Sequence, residues 1–245
     1  MDIMRRIEMG LAKGRLHMTL LDPDKLVPDE HAVIAARAAD SGTDAIMIGG
    51  STGIDQASLD AVIGAIKNKV SLPIILFPMG ARALSPKADA VYFMSLLNSR
   101  DPRFLTREQA MGAPFIKKLG LEPIPMGYII VEPGMKVGEV GQAEPVKRGD
   151  LNAAISYALC AQYFGMKLVY LEAGSGAPEP VPAEMVKAVK GAIEIPLIVG
   201  GGVRKPEQAR ALAAAGADIL VTGTLVESSD GVNRLGDVIR AFKKG

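Results

Sequence analysis

Residues 197–224 read LIVGGGVRKPEQARALAAAGADILVTGT. Two short apolar runs, 197–199 and 219–222, flank a segment that opens with Pro206 in a first-turn position and keeps helical character to Ala215. Each run empties directly into glycine, VGGGVR at 199–204 and VTGT at 221–224. A strand, a glycine turn, a helix and a second strand in about 25 residues make one parallel βα unit, because parallel neighbours need a crossover of a dozen or more residues.

The same grammar repeats along the chain. Apolar strand candidates fall at 17–21, 45–48, 73–77, 90–94, 125–131, 168–171, 197–199 and 219–222. Between them, Leu59, Val62, Ile63 and Ile66 keep i, i+3, i+4, i+7 spacing, as do Leu235, Val238, Ile239 and Phe242. Asp55 and Asp150 stand at N-cap positions. Eight strands in 245 residues leave about thirty per unit, which predicts an α/β fold of the (β/α)8 TIM-barrel type over 1–245 as one domain. A doubly wound sheet is the alternative; against it, no GxGxxG follows the first strand and no polar linker divides the chain. One unit is short. PMGARALSPKA at 78–88 carries Pro78, Gly80 and Pro86, so the third helix is expected to be missing or vestigial. EPGMKVGEVGQAEPVKRG at 132–149 reads as a long loop on the carboxyl face.

Composition narrows the partners. A formal charge of +1 gives no global footprint for nucleic acid or an anionic surface. Cys160 is the single cysteine, which excludes an intrachain disulfide and fits a reducing cytoplasm. No apolar run approaches the roughly 20 residues that span a bilayer, and there is no signal-peptide h-region. Apolar positions within 153–164 suggest a homo-oligomer contact. Aromatics are scarce, 4% with no Trp, and composition assigns them no task.

Three glycine clusters follow consecutive strands: YLEAGSGA at 170–177, VGGGVR and VTGT. On a barrel they share the carboxyl rim, where backbone N–H groups commonly hold phosphate. Any one of them also reads as an ordinary tight turn. At the other end of the chain, LLDPDK at 20–25 puts Asp22 at the barrel mouth and IGGSTG at 48–53 brings Ser51 to the same rim. Such hard oxygen donors suit Mg²⁺, although Asp22 before Pro23 also fits a simple turn cap. His17 reads as a strand residue and His31 as a first-turn helix residue, with no pairing between them.

LLDPDK, DAIMIGGSTG (44–53), YFMSLLNSRDP (92–102), YLEAGSGA, VGGGVR and VTGT, in this order and spacing, resemble geranylgeranylglyceryl phosphate synthase of archaea and its bacterial heptaprenyl relatives. The resemblance spans nearly the whole chain. It implies a modified TIM barrel lacking its third helix, Mg²⁺ dependence, and transfer of a geranylgeranyl group from geranylgeranyl diphosphate to the C3 hydroxyl of sn-glycerol 1-phosphate, the first ether bond of archaeal membrane lipids. By the resemblance, Asp22 and Ser51 match metal ligands. Tyr170, Leu171, Glu172, Ala173, Gly174, Ser175 and Gly176, with Gly201, Gly202, Gly223 and Thr224, match the glycerol phosphate site. Leu20 stands where the bacterial branch has a phosphate-binding Lys, leaving Arg204 or Lys25 as the counter-charge.

For the chemistry, Glu172 at the end of strand six is the candidate base for the acceptor hydroxyl and Tyr170 a positioning donor. A structural ion pair is the competing role for such a carboxylate. Tyr92, Phe93, Met94, Leu96 and Leu97, beside the missing helix, are candidate walls for the prenyl chain. Other phosphate-binding barrels, of amino-acid and thiamine biosynthesis, share the two late glycine motifs, and a non-catalytic phosphate sensor is a further alternative.

Overall fold

A computed structural model describes residues 2–49, 55–81, 83–223, 225 and 231–245, with backbone alone at 231–233. Eight parallel strands close into a barrel in sequence order: β1 Leu16–Leu21, β2 Ala45–Gly49, β3 Ile74–Phe77, β4 Ala90–Leu96, β5 Glu122–Ile130, β6 Leu168–Glu172, β7 Leu197–Gly200 and β8 Ile219–Thr222. Closure pairs β1 with β8, His17 opposite Leu220 and Thr19 opposite Thr222. All eight expected strands are present. β4 and β5 run longer than apolarity alone predicted, because their ladder continues through Ser95 and Glu122.

Side chains alternate across each strand. Leu16, Met18, Tyr170, Ile198 and Val221 fill the barrel interior, while Leu21, Val169, Leu171, Val199 and Leu220 face the surrounding helices. Those helices are α1 Ile3–Leu11, α2 Pro28–Asp40, α3 Gln56–Lys67, α4 Glu108–Leu119, α5 Met135–Val140, α6 Leu151–Tyr163, α7 Ala183–Ala192, α8 Pro206–Ala214 and α9 Gly231–Lys244. The apolar stripe of α3 is fully buried, each such side chain stabilising the fold by about 1.5–3 kcal/mol. Asp55 accepts from the Ser58 N–H at 2.8 Å and Asp150 from the Ala153 N–H at 3.0 Å, so both N-caps form. Cys160 is a half-buried free thiol, and at the end of α6 Tyr163 and Phe164 are 77% and 72% exposed.

Between β3 and β4 no helix occurs among the described residues. Instead the segment lies flat on the barrel, with Leu84 and Ala88 buried and the Ala81 N–H donating 2.8 Å to the Glu108 carboxylate of α4. The expectation for 132–149 needs correction. That stretch is not loop throughout, because α5 occupies Met135–Val140 within it. Ahead of α4 a π-helical turn, Arg103–Arg107, carries the chain away from β4.

Candidate active site

Strand parity builds the site. Tyr170 and Glu172 are two apart on β6, so both point into the barrel, the second at its carboxyl end opposite Gly200 of β7. Glu172 is 5% exposed, and its Oε1 accepts the Gly174 N–H at 2.6 Å. Burial pushes this carboxyl above the ordinary carboxylate range, while Tyr170, the Gly174 N–H and Tyr128 pull the other way. The Tyr170 and Tyr128 phenols are raised well above their usual range, first by burial and then by the neighbouring Glu172 charge, so both stay protonated. The buried Tyr170 hydroxyl makes no hydrogen bond of full geometry among the described residues, although it lies close enough to Glu172 to steady that charge. A ligand oxygen entering here would complete the bonding of that hydroxyl.

The glycine triplet after β7 owes its composition to close approach. A Cβ at Gly200 would overlap the Tyr170 hydroxyl, one at Gly201 the Glu172 carboxylate, and one at Gly202 the Glu179 carbonyl. Gly201 and Gly202 also hold φ of +81° and +73°, a region costly for other residues. Their N–H groups and that of Gly176 make no intramolecular hydrogen bond among the described residues, which leaves three backbone donors for an anion.

These elements enclose a polar cavity of about 230 Å³, lined in part by Tyr170, Glu172, Ser175, Gly176, Gly201, Gly202 and Gly223. Three residues grouped with them from sequence, Leu171, Ala173 and Gly174, do not line it. Leu171 and Ala173 face the helical layer by strand parity. The Ala173 N–H is spent on the Gly200 carbonyl at 3.1 Å, and the Gly174 N–H on Glu172. Ser51 and Thr224 lie outside the described residues.

Asp22 stands just past β1 against Gly49 of β2, where a Cβ would come within 2.7 Å of its Oδ1. Its Oδ2 pairs with Lys25 at 2.8 Å. Lys25 therefore serves Asp22 in this structure and is absent from the cavity wall, whereas Arg204 does line the cavity. Among the described residues no three His, Cys, Asp or Glu side chains cluster as metal ligands.

A narrow apolar groove runs beside the cavity on the flank without a helix. Tyr92, Phe93, Met94 and Leu96 line it, together with Leu84 and Phe104. Leu97 does not, and its assignment to this wall is corrected. The strand turns it outward, where it packs on Gly127 and the helical layer. Four rings join groove to cavity: Phe77 contacts Tyr128 edge-on at 5.3 Å, Tyr92 at 6.1 Å and Tyr170 at 5.9 Å, and Tyr128 contacts Tyr170 at 5.1 Å. Three of the five tyrosines of the chain thus meet at one point, which gives the scarce aromatics a place.

Sequence reasoning missed Phe77, Tyr128 and Arg234. For Tyr128 the signal was available, since it shares the inward face of β5 with Met126 and Ile130. Arg234 gave none, as it sits on a helical face with no motif of its own.

Unspent backbone donors and two cavity-lining arginines after β6 to β8 place the chain among the phosphate-binding (β/α)8 barrels. The PcrB family model matches residues 9–245, and the chain belongs to that family. It is 52% identical to geranylgeranylglyceryl phosphate synthase of Thermococcus kodakarensis, with 98% of this chain and 95% of that protein covered. The Pyrococcus abyssi synthase is 53% identical, covering 100% and 96%. Among solved structures, (S)-3-O-geranylgeranylglyceryl phosphate synthase from Thermoplasma acidophilum, in complex with its substrate sn-glycerol-1-phosphate, superposes with a TM-score of 0.97 at 46% identity, covering all of both chains.

Proposed function

We propose that this chain is a prenyltransferase that moves a geranylgeranyl group from its diphosphate to the C3 hydroxyl of sn-glycerol 1-phosphate. The observation that carries this is the junction at Glu172 and Tyr170. There a glycine-lined polar cavity meets an apolar groove through a patch of aromatic rings. In the reaction the allylic carbon–oxygen bond to diphosphate breaks and a carbon–oxygen ether bond forms. The acceptor proton passes to the Glu172 carboxylate, whose raised pKa brings it nearer to neutrality, where a base works best. Tyr170 presents its hydroxyl at the cavity wall to orient the acceptor. The backbone donors of Gly176, Gly201 and Gly202 hold the phosphate.

Mg²⁺ suits the rim, since that ion is held by one or two carboxylates and completes its shell with water and substrate phosphate. Asp22, with Ser51, would hold it, and bound there it would neutralise charge on the departing diphosphate. Among the described residues no helix is long and apolar enough to cross a membrane. We assign the enzyme to the cytoplasm on a separate ground, the free thiol of Cys160, which fits a reducing compartment.

The test is passage of radiolabelled sn-glycerol 1-phosphate into an organic phase in the presence of geranylgeranyl diphosphate, with and without Mg²⁺. Magnesium-dependent transfer is expected; no transfer overturns the reading. The groove makes its own prediction. Phe93→Ala widens the wall and should raise the use of longer diphosphates relative to C20 by roughly tenfold in kcat/KM. Leu97→Ala, outside the groove, should leave the chain-length profile unchanged. A profile indifferent to Phe93 removes this groove as the prenyl site.

A further inference from the structure

Among the described residues two cations line the polar cavity, and they differ in what they already hold. Arg204 donates to the Gly176 carbonyl at 2.9 Å and to the Pro178 carbonyl at 3.2 Å, so its guanidinium braces the loop after β6. Arg234, on the early part of α9, has no hydrogen bond or ion pair among the described residues. A guanidinium carries five donors in a rigid fork and matches a phosphate group in bidentate fashion. Across the cavity, β1 contributes Leu20, which brings no charge. Among the described residues the one carboxylate in the wall, Glu172, is engaged with Gly174 and supplies no partner to Arg234.

We propose that Arg234 is the phosphate-anchoring residue of the acceptor site, a charged contact made when the substrate is bound. This rests on the reading that the cavity takes sn-glycerol 1-phosphate. The division of labour is then clear. Backbone N–H groups of the glycine turns fix where the phosphate sits, Arg204 fixes the loop that carries one of them, and Arg234 supplies the positive charge that a dianion needs.

The experiment compares wild type with Arg234→Ala and Arg234→Lys by isothermal titration with sn-glycerol 1-phosphate and by initial rates with both substrates varied. For Arg234→Ala the Kd and KM for sn-glycerol 1-phosphate should rise roughly 10- to 100-fold. The kcat at saturation and the KM for geranylgeranyl diphosphate should stay within about twofold. Arg234→Lys should recover part of the affinity, and the salt dependence of binding should flatten in the alanine variant. Because Arg234 is exposed, the fold should tolerate both changes, checked by unchanged melting curves. An unchanged Kd in Arg234→Ala overturns the assignment, as does a loss confined to the KM of the diphosphate. Failure of the wild-type protein itself to bind sn-glycerol 1-phosphate overturns the reading of the cavity, and the arginine's role with it.

Discussion

Glu172→Gln should cut kcat by roughly 10²- to 10⁴-fold at saturating substrates, the range expected when a positioned base is removed. Geometry is the reason this substitution is informative. The amide oxygen can still accept the Gly174 N–H that Glu172 accepts at 2.6 Å, so the end of β6 keeps its shape. What disappears is the ability to take a proton. The KM for sn-glycerol 1-phosphate should therefore change little, and the loss should fall on kcat. In the wild type, kcat should decline toward acid at a pH above the ordinary carboxylate range, because burial raises this group. Wild-type kcat in the glutamine variant would end the base assignment.

The same variant should be more stable than the wild type at neutral pH. A carboxyl whose folded pKa lies above its unfolded value of 4.5 favours folding below that value, and that benefit is lost as pH rises through the folded pKa. Near pH 7 the ionised Glu172 is a burial cost that glutamine does not carry. Melting temperatures of the two proteins should hence converge below about pH 4.5 and separate above it, with the variant higher. Activity and stability pull in opposite directions at this residue, as is common for groups held in an unfavourable environment for their chemistry.

How much of this was visible in the amino acids depends on whether period or proximity carried the information. The strands and the short third unit were legible because apolar runs and prolines act locally: Pro78 and Pro86 exclude a helix regardless of what surrounds them. The glycine turns were legible as positions but only partly as causes. Gly200 and Gly201 are forced by Tyr170 and Glu172, side chains thirty residues earlier, and no local rule reveals such a pairing. Leu171 and Ala173 were grouped with the site because a motif is contiguous, whereas a strand sends alternate residues to opposite faces. Phe77 and Arg234 reach the site from β3 and α9, and only closure of the barrel brings them there.

His17 offers a second large effect, on stability. It faces outward from β1 and is completely buried, with Nδ1 2.9 Å from the Thr43 hydroxyl and Nε2 3.0 Å from the Thr222 hydroxyl. Desolvation, reinforced by the nearby Lys243 ammonium, lowers its pKa from 6.5 to about 3. The folded state thus refuses a proton that the unfolded chain accepts below 6.5. Stability linked to His17 is complete above that pH and drains away as pH falls toward 3, by up to about 5 kcal/mol. Against a typical total of about 5–15 kcal/mol, that is enough to govern acid unfolding. Urea unfolding followed from pH 7 to pH 4 should show stability falling by as much as about 1.4 kcal/mol per pH unit from this group alone. His17→Gln cannot be protonated. It should start less stable at pH 7, by about 1–3 kcal/mol for a disturbed buried hydrogen bond, yet show a slope shallower by one proton. Parallel slopes in the two proteins would show that another group controls acid sensitivity. Thr222 directly precedes Gly223 of the cavity wall, so the same buried ring that sets the acid response also ties the end of β8 to Thr43.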